Sequence, residues 1–307
     1  SRCLNCDIGR IGGGHYDIKD ISVCTVQTIV RALNSDNKKF KISEYQFDDE
    51  DKWDKKDVLS SEKADNIKKY IASVKGLYFD ETHHASCKTA KDVISASPMA
   101  YWKFGGSATP YRDDGADIMI QAMFGSKVVD INASYLIQNN FLVRPHILFE
   151  PIDQECDFHS YSKVYENCIA KNENFNRHVA EQANHLVARG LSTLVLVKQY
   201  NQGDFLKNLI PNSEFVTGRL TTSQRTQAIN DLRQRRMMCM IATSLADEGL
   251  DIPSLDAALL AGGGASATRV NQRIGRTLRK SEDGKKDKSI IVAYEHKNVR
   301  FLGTHAK

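Results

Sequence analysis

Several features that would classify a chain quickly are scarce in these 307 residues. No apolar run approaches the roughly 20 residues that a membrane-spanning helix needs, so no span is predicted. Aromatic residues make up 8% of the chain, which disfavours a protein that binds single strands mainly by base stacking. The net charge of +4 gives only weak support for an anionic partner. The composition is that of a globular protein with room for two domains of ordinary size.

Cysteines are present but do not form a pattern. The seven cysteines are odd in number and scattered, which predicts reduced thiols in an intracellular protein and a cytoplasmic location. Cys3 and Cys6 form a CxxC pair, but no second pair follows to complete a zinc site. The sequence therefore predicts no structural zinc.

The chain also lacks GxxxxGK[ST], the loop whose backbone N–H groups and lysine hold nucleotide phosphates. Residues 9–17 (GRIGGGHYD) are rich in glycine but contain no Lys-Ser/Thr pair and precede no clear helix. Residues 261–266 (AGGGAS) follow a predicted strand and also lack the lysine. These glycines are expected to permit a turn or a close backbone approach.

Predicted strands and helices alternate along most of the chain. Short apolar runs typical of buried strands include VKGLYFDE, YWKFGGSATP, STLVLVKQY, MMCMIATS, DAALL and KSIIVAYE. This alternation predicts an α/β architecture with mostly parallel sheets. The segment YLIQNNFLVRPHILFEPI contains Pro145 and Pro151 and is interpreted as an interdomain connection, which gives domains 1–150 and 151–307. Residues 34–66 are polar and are expected to form a solvated surface segment.

A group of polar residues, DETHH, follows one of the predicted strands. Asp80 and Glu81 are suited to holding Mg²⁺ and orienting a water for nucleotide hydrolysis. A metal centre built on His83 and His84 is disfavoured, because a helical zinc site needs ligands one turn apart and adjacent strand residues point to opposite faces. When this segment is considered alone, the alternative to a nucleotide-hydrolysis site is a polar strand end that has no catalytic function.

Two further segments carry residues suited to phosphate chemistry. SATP, with Ser107 and Thr109, ends another predicted strand. IATSLADEGLDIPSLD places Thr243 at a strand end and Gly249 and Asp251 in the loop that follows. By itself, SATP is typical of an ordinary turn after a strand.

The segment QRIGRTLR has helical spacing. Gln272, Arg276 and Arg279 follow one another at steps of four and three, so they share one helix face. Arginine supplies planar, permanently charged donors to phosphate groups. A solvated basic face is the alternative.

In this order, DExH, SATP, ATSxxxEGLDIP and QRIGRTLR closely resemble motifs II, III, V and VI of the superfamily 2 helicases, in the DExH group. SATPYRDDG and QRIGRTLR look most like phage-encoded helicases of the UvsW type, which act on branched DNA, and like translocase subunits of restriction enzymes. The resemblance extends from about Gly9 to Tyr294. It implies two RecA-like lobes: an incomplete first lobe with motifs II and III, and a second lobe with motifs IV to VI.

The resemblance implies an ATP site with Mg²⁺. Asp80 would hold the Mg²⁺–ATP complex, and Glu81 would activate or orient the attacking water. His83 would couple this site to the second lobe through Gln272. The other residues implied at the nucleotide are Gly249 and Asp251, which would line the site, and Arg276 and Arg279, which would act as arginine fingers.

The resemblance also implies contacts with DNA. Ser107 and Thr109 would link hydrolysis to movement along a strand. Residues in TVQT and VTGRLT, with the motif V threonine, would contact the backbone, where hydroxyl and N–H donors suit phosphate oxygens. These residues are Thr25, Gln27, Thr28, Thr217, Gly218 and Thr243.

Two basic stretches are predicted to face nucleic acid and to give salt-dependent binding, with a solubilising surface as the alternative. The first contains Arg219, Arg225, Arg233, Arg235 and Arg236; the second contains Arg269, Arg273, Arg276, Arg279, Lys280, Lys285 and Lys286.

In this family the phosphate-binding loop precedes the motifs found here, so its absence is interpreted as a truncation of on the order of a hundred residues. The chain is expected to be a fragment that does not hydrolyse ATP alone. The parent would be an ATP-dependent DNA helicase acting on branched or forked DNA in replication, recombination or repair, in a bacterial host's cytoplasm if phage-encoded. A restriction-enzyme translocase subunit is the alternative enzyme. A nucleic-acid-binding module without ATPase activity is the alternative of another class.

Overall fold

The computed structural model describes residues 6–37, 59–82, 88–107, 117–156, 158–243, 255–262, 275, 277–281, 286–299 and 302. The chain divides into an N-terminal unit, Ser1–Asp130, and a C-terminal unit, Ile131–Lys307. The division therefore falls about twenty residues before the predicted position near residue 150.

The N-terminal unit contains two small sheets and four helices in its described part. The order β2-β1-β3 defines the first sheet, in which β1 is antiparallel to β2 and parallel to β3; β4 and β5 form a parallel pair. The strands are β1 Ile8–Gly12, β2 His15–Asp17, β3 Ile21–Cys24, β4 Gly76–Phe79 and β5 Trp102–Gly105; the helices are α1 Val26–Leu33, α2 Ser61–Ser73, α3 Lys88–Ser95 and α4 Asp117–Phe124.

The core of this unit forms where the apolar faces of three helices meet β1. Ile11 of β1, Ile29 of α1, Ile67 of α2 and Val93 of α3 are each at most 5% exposed and belong to one cluster. Helix α2 begins after Ser60, whose hydroxyl accepts a hydrogen bond from the backbone N–H of Lys63. The three helices thus fix β1 and the loops that leave it.

The C-terminal unit is built on a six-stranded sheet in the order β6-β11-β10-β7-β9-β8, and every pairing is parallel. This confirms the predicted α/β class. The strands are β6 Arg144–Ile152, β7 Thr193–Leu196, β8 Ser213–Val216, β9 Cys239–Ala242, β10 Ala257–Leu260 and β11 Lys288–His296; the helices are α5 Ala133–Gln138, α6 Tyr161–Tyr165, α7 Glu173–Ala188, α8 Tyr200–Leu209 and α9 Thr222–Arg233, with a π-helical turn at Glu166–Ala170.

Strand β6 accounts for the difference between the predicted boundary and this division. Its residues were interpreted as a connection because of Pro145 and Pro151, but all nine pair with β11. Proline lacks an N–H group and is tolerated on an edge strand, and β6 is the outermost strand on its side of the described sheet. The prolines therefore mark a sheet edge rather than a connection.

Both faces of the central strands are covered, which is why these strands appear as continuous apolar runs in the sequence. Val195 of β7 packs in a cluster with α7 and α8 residues, whereas Leu194 and Leu196 of the same strand pack against α9 residues on the other face. Helix α9 begins with a capping box, in which Thr221 and Gln224 bond reciprocally.

In the described part of the chain, no helix is both long and apolar enough to cross a membrane.

Cys156 and Cys168 form a disulfide, which the prediction of reduced thiols did not anticipate. The bond joins the loop after β6 to the π-helical turn, 12 residues further along, with Cα atoms 6.4 Å apart. Gln154 supports the same junction by donating a hydrogen bond to the carbonyl of Cys168. The loop after β6 is thus covalently attached to the core of the C-terminal unit.

Reduction of this disulfide should lower the free energy of unfolding of the C-terminal unit by about 3 kcal/mol, because a closed loop of this length restricts the unfolded chain. Urea unfolding followed by circular dichroism, with and without dithiothreitol, measures the effect. The double variant Cys156→Ser/Cys168→Ser is the control and should show the same loss without responding to the reductant. An unchanged urea midpoint on reduction would contradict the prediction.

Candidate nucleotide and nucleic-acid sites

Asp80 and Glu81 stand where β4 ends, in the N-terminal unit. The Asp80 side chain is exposed, and its Oδ1 accepts a hydrogen bond of 3.0 Å from the backbone N–H of Glu81. Glu81 is half-buried and has a positive φ of 50°, a backbone conformation that non-glycine residues rarely adopt and that is over-represented at functional sites. The Asp80 carboxylate is thus anchored through one oxygen, and its other oxygen accepts no hydrogen bond from the part of the chain that the structure describes.

The end of β5 lies directly beside this turn. Thr82 donates its backbone N–H to the carbonyl of Gly106, and Gly106 donates its own N–H to the carbonyl of Phe79. A Cβ at position 106 would overlap the hydroxyl of Tyr78, so a larger residue there would require the exposed Tyr78 side chain to move. Ser107 follows and is half-buried, so the structure brings the described parts of DETHH and SATP together at the carboxyl edge of one parallel pair.

The TVQT segment forms the start of α1. Thr25 occupies the N-cap position and is exposed, Gln27 is half-buried, and Thr28 is buried with its hydroxyl 2.8 Å from that of Thr25. Gly12 has a φ of +124°, and a Cβ there would overlap the Thr25 side chain. The glycine-rich segment thus forms a turn whose backbone packs against Thr25.

Gly12→Ala should destabilise the N-terminal unit by about 2 kcal/mol, because alanine disfavours this φ and its Cβ collides with Thr25. Gly14→Ala is the matched control, since Gly14 also has a positive φ but a Cβ added there would meet nothing within 4 Å. Tryptophan fluorescence during urea unfolding reports on this unit, which contains both Trp53 and Trp102. Equal losses in the two variants would show that the Thr25 contact is unimportant.

In the C-terminal unit, predicted phosphate contacts lie at the carboxyl edge of the sheet. Thr217 follows β8 and Thr243 follows β9, and the last residues of these neighbouring strands pair directly. Both side chains are buried; Thr217 Oγ1 accepts a hydrogen bond from the backbone N–H of Arg219, and Thr243 Oγ1 has no hydrogen-bond partner among the described residues. Gly218, between Thr217 and Arg219, is half-buried. These residues therefore belong to the packed part of the carboxyl edge, and the two threonine side chains do not project into solvent.

The groups that project from this edge are two cations that the sequence reasoning did not single out as a pair. Lys198 follows β7, with its Nζ 5.0 Å from the ring centre of Tyr165 and 5.4 Å from that of Tyr161. Arg219 stacks 3.9 Å above the ring of Tyr200. Lys198 and Arg219 are exposed, and neither forms an ion pair with a carboxylate in the described structure. The sequence signal for Lys198 was its place at the end of the apolar run STLVLVKQY, and Arg219 belongs to the first basic stretch.

The first basic stretch is split between opposite edges of the sheet. Arg235 pairs with Asp256 and donates to the carbonyl of Gly190, and Arg236 pairs with Asp231. Asp256 directly precedes β10, so Arg235 lies at the amino edge, away from Arg219 at the carboxyl edge. The stretch therefore does not lie on one edge, and contact of Arg235 with nucleic acid stays a prediction.

In the second basic stretch, the structure gives Lys286 a role different from the predicted one. Lys286 is 8% exposed, and its Nζ donates to the backbone carbonyls of Leu255, Thr277 and Arg279. Its predicted place on a nucleic-acid surface is therefore wrong. The Arg279 side chain is exposed, and its backbone forms an antiparallel bridge with Leu142.

Six predicted site residues lie outside the described residues, and their assignments stay predictions: His83, Thr109, Gly249, Asp251, Gln272 and Arg276.

Comparison with known families matches residues 175–281 to the helicase conserved C-terminal domain. The matched range runs from α7 to Ser281. It contains the carboxyl edge of the six-stranded sheet, with Lys198 and Arg219.

Two curated relatives cover most of the chain. Putative helicase 22 of Sulfolobus islandicus filamentous virus is 26% identical over 252 residues, which are 76% of this chain and 44% of that protein. Putative DNA 3'-5' helicase Rad25 of Halobacterium salinarum is 27% identical over 212 residues, 66% of this chain and 34% of that protein. The chain thus spans less than half the length of either relative.

Among solved structures, a fragment of a putative HsdR subunit of a type I restriction enzyme from Vibrio vulnificus has a similar fold. The TM-score is 0.63 at 14% identity, over 98% of this chain and 53% of that one. A parallel six-stranded sheet covered by helices on both faces is the architecture of a RecA-like helicase C-terminal lobe. This architecture agrees with the match of residues 175–281 to the helicase C-terminal domain and with the similarity of the chain to curated helicases.

Proposed function

We propose that this chain carries the motor portion of an ATP-dependent DNA helicase or translocase of the DExH type. The observation that carries the proposal is the match of residues 175–281 to the helicase C-terminal domain, in a unit whose carboxyl edge presents two stacked cations. Lysine and arginine neutralise backbone phosphates, and stacking on tyrosine limits their loss of side-chain entropy on binding. The function of this edge is then to hold the backbone of one strand.

In this proposal the N-terminal unit supplies the hydrolytic acids. Asp80 would hold Mg²⁺ bound to ATP through its unanchored oxygen, and Glu81 would orient the attacking water. An exposed carboxylate at the end of a parallel strand suits a hydrated cation, because Mg²⁺ keeps several of its waters. Arg279 would stabilise the charge that develops on the transferred phosphate.

DNA is the proposed substrate, with a preference for branched or forked molecules. The name of the Halobacterium relative supports DNA, and the motif resemblance supports branched substrates. The similar fold of the HsdR fragment favours a second candidate, a restriction-enzyme translocase subunit. A binding module without ATPase activity is supported by the absence of GxxxxGK[ST] from these 307 residues.

Fluorescence anisotropy with labelled oligonucleotides tests the proposal. Single-stranded DNA, linear duplex, a four-way junction and single-stranded RNA of matched length are titrated with the purified chain at about 50–200 mM salt. We expect DNA binding that weakens steeply with salt, with the junction bound more tightly than the duplex. Absence of DNA binding at the lowest salt concentration would contradict the proposal, and tighter binding of RNA would redirect it to an RNA helicase.

A further inference from the structure

A buried ammonium group fastens the segment that carries Arg279. Lys286, two residues before β11, directs its Nζ at three backbone carbonyls, those of Leu255, Thr277 and Arg279, the last at 3.0 Å. Its own backbone N–H donates to the hydroxyl of Ser281, 3.1 Å away. The backbone and the side chain of Lys286 therefore both bond to residues earlier in the chain.

The three carbonyl oxygens are suitable acceptors for this group. An ammonium group has three N–H donors, and each can bond a carbonyl oxygen. Hydrogen bonds from a charged donor are stronger than neutral ones, and a buried carbonyl left without a donor is costly. Burial lowers the pKa of Lys286 to about 8, and the nearby Asp256 carboxylate opposes this shift.

A second set of contacts holds the same segment from another direction. The backbone N–H of Val143 donates to the carbonyl of Leu278 at 2.9 Å, and Leu142 forms a bridge with Arg279. Leu255 lies two residues before β10, so Lys286 ties residues 277–279 to the central sheet. The Arg279 backbone is thus fixed by groups from two places, while its side chain remains exposed.

We infer that Lys286 is a positioning residue, whose ammonium group fixes the backbone of Thr277 and Arg279 and so sets the direction of the Arg279 guanidinium. The inference rests on the proposed role of Arg279 at the nucleotide. It explains why a lysine stands buried beside a basic segment, where like charges would otherwise be unfavourable. The sequence places Lys286 among surface cations, whereas its function is to order the chain that carries one of them.

The test uses the full chain with Lys286→Met, which keeps the length of the side chain and removes the donors. Lys288→Met is the matched control, because Lys288 is exposed at the start of β11. Two quantities are measured by NMR: the protection factor of the Val143 amide, which donates to Leu278, and the Nε–Hε resonance of Arg279, assigned with Arg279→Lys. Thermal unfolding of each variant shows whether it is folded.

We expect Lys286→Met to lower the Val143 protection factor at least about tenfold and to shift the Arg279 resonance, while Lys288→Met changes neither. Lys286→Arg, which restores charged donors, should recover part of the protection. In the wild-type chain, protection should fall as the pH rises through about 8, since the neutral amine has one N–H fewer. Lys286→Arg should not show this fall, because arginine stays charged.

If Lys286→Met fails to fold, the pH dependence of the wild-type chain and the Arg variant decides the matter. Unchanged Val143 protection and an unchanged Arg279 resonance in Lys286→Met, or wild-type protection that is flat from about pH 7 to about pH 9.5, would overturn the inference. Failure of the proposed function appears separately, as absence of DNA binding in the anisotropy experiment.

Discussion

Replacing both Lys198 and Arg219 by glutamine should weaken binding of single-stranded DNA by about tenfold, which corresponds to about 1.4 kcal/mol. These cations stand at the ends of β7 and β8, exposed and without an ion-pair partner in the described structure. Each is held against tyrosine rings, so it is already partly ordered before a phosphate arrives. The salt dependence of the affinity should also fall, with the slope reduced by about 0.7 for each lost phosphate contact.

The matched control removes the same charge from the opposite edge of the sheet. Arg189 directly follows α7, and Lys288 begins β11; both are exposed at the amino edge. Arg189→Gln/Lys288→Gln should keep wild-type affinity within about twofold, because exposed charges farther away than a Debye length are screened. Anisotropy of a labelled oligonucleotide at several salt concentrations gives both affinity and slope. Equal weakening by the two double variants would mean that net charge, and not the carboxyl edge, governs binding.

The purified chain should not hydrolyse ATP at a useful rate, with or without DNA. The acids are present as Asp80 and Glu81, but the 307 residues contain no GxxxxGK[ST] loop to hold the phosphates. Acids that orient water contribute little when the phosphates they act on are not positioned, because positioning and charge stabilisation supply nearly all of the catalysis in phosphoryl transfer.

A coupled assay for ADP release checks this result, and Glu81→Gln guards against contaminating ATPases. Any trace activity should be the same in the wild-type chain and in the Glu81→Gln variant. DNA-stimulated hydrolysis that disappears in Glu81→Gln would refute the prediction, and would show that another segment of this chain binds the phosphates.

Much of the fold could be predicted from the sequence because local pattern and tertiary environment agree. Strands β7, β9, β10 and β11 are apolar runs in the sequence and lie buried in a parallel sheet. Strand β6 was missed because its two prolines argue against a strand unless the strand lies at an edge. Which strand lies at an edge depends on pairing across the sheet, and local sequence does not contain that information.

The candidate site was predictable where one short segment carries it. DETHH could be placed at a strand end from its neighbours alone, and β4 ends directly before Asp80. The positive φ of Glu81 and the contact between Thr82 and Gly106 could not be foreseen, because they arise from the packing of β5 beside β4. The disulfide between Cys156 and Cys168 also could not be predicted from the sequence, because it depends on the contact between a loop and a helical turn.

The sequence by itself determined the α/β class, the helicase motifs and the residue types available for phosphate chemistry. Tertiary structure alone decided what each cation does. Within the first basic stretch, Arg219 remains at the carboxyl edge whereas Arg235 pairs with Asp256 at the amino edge, because α9 carries the chain from one edge to the other. Lys286 is buried among carbonyls. A lysine or arginine is written the same way in the sequence whatever its environment. Only the folded chain determines whether water, a carboxylate or backbone carbonyls surround its charged group.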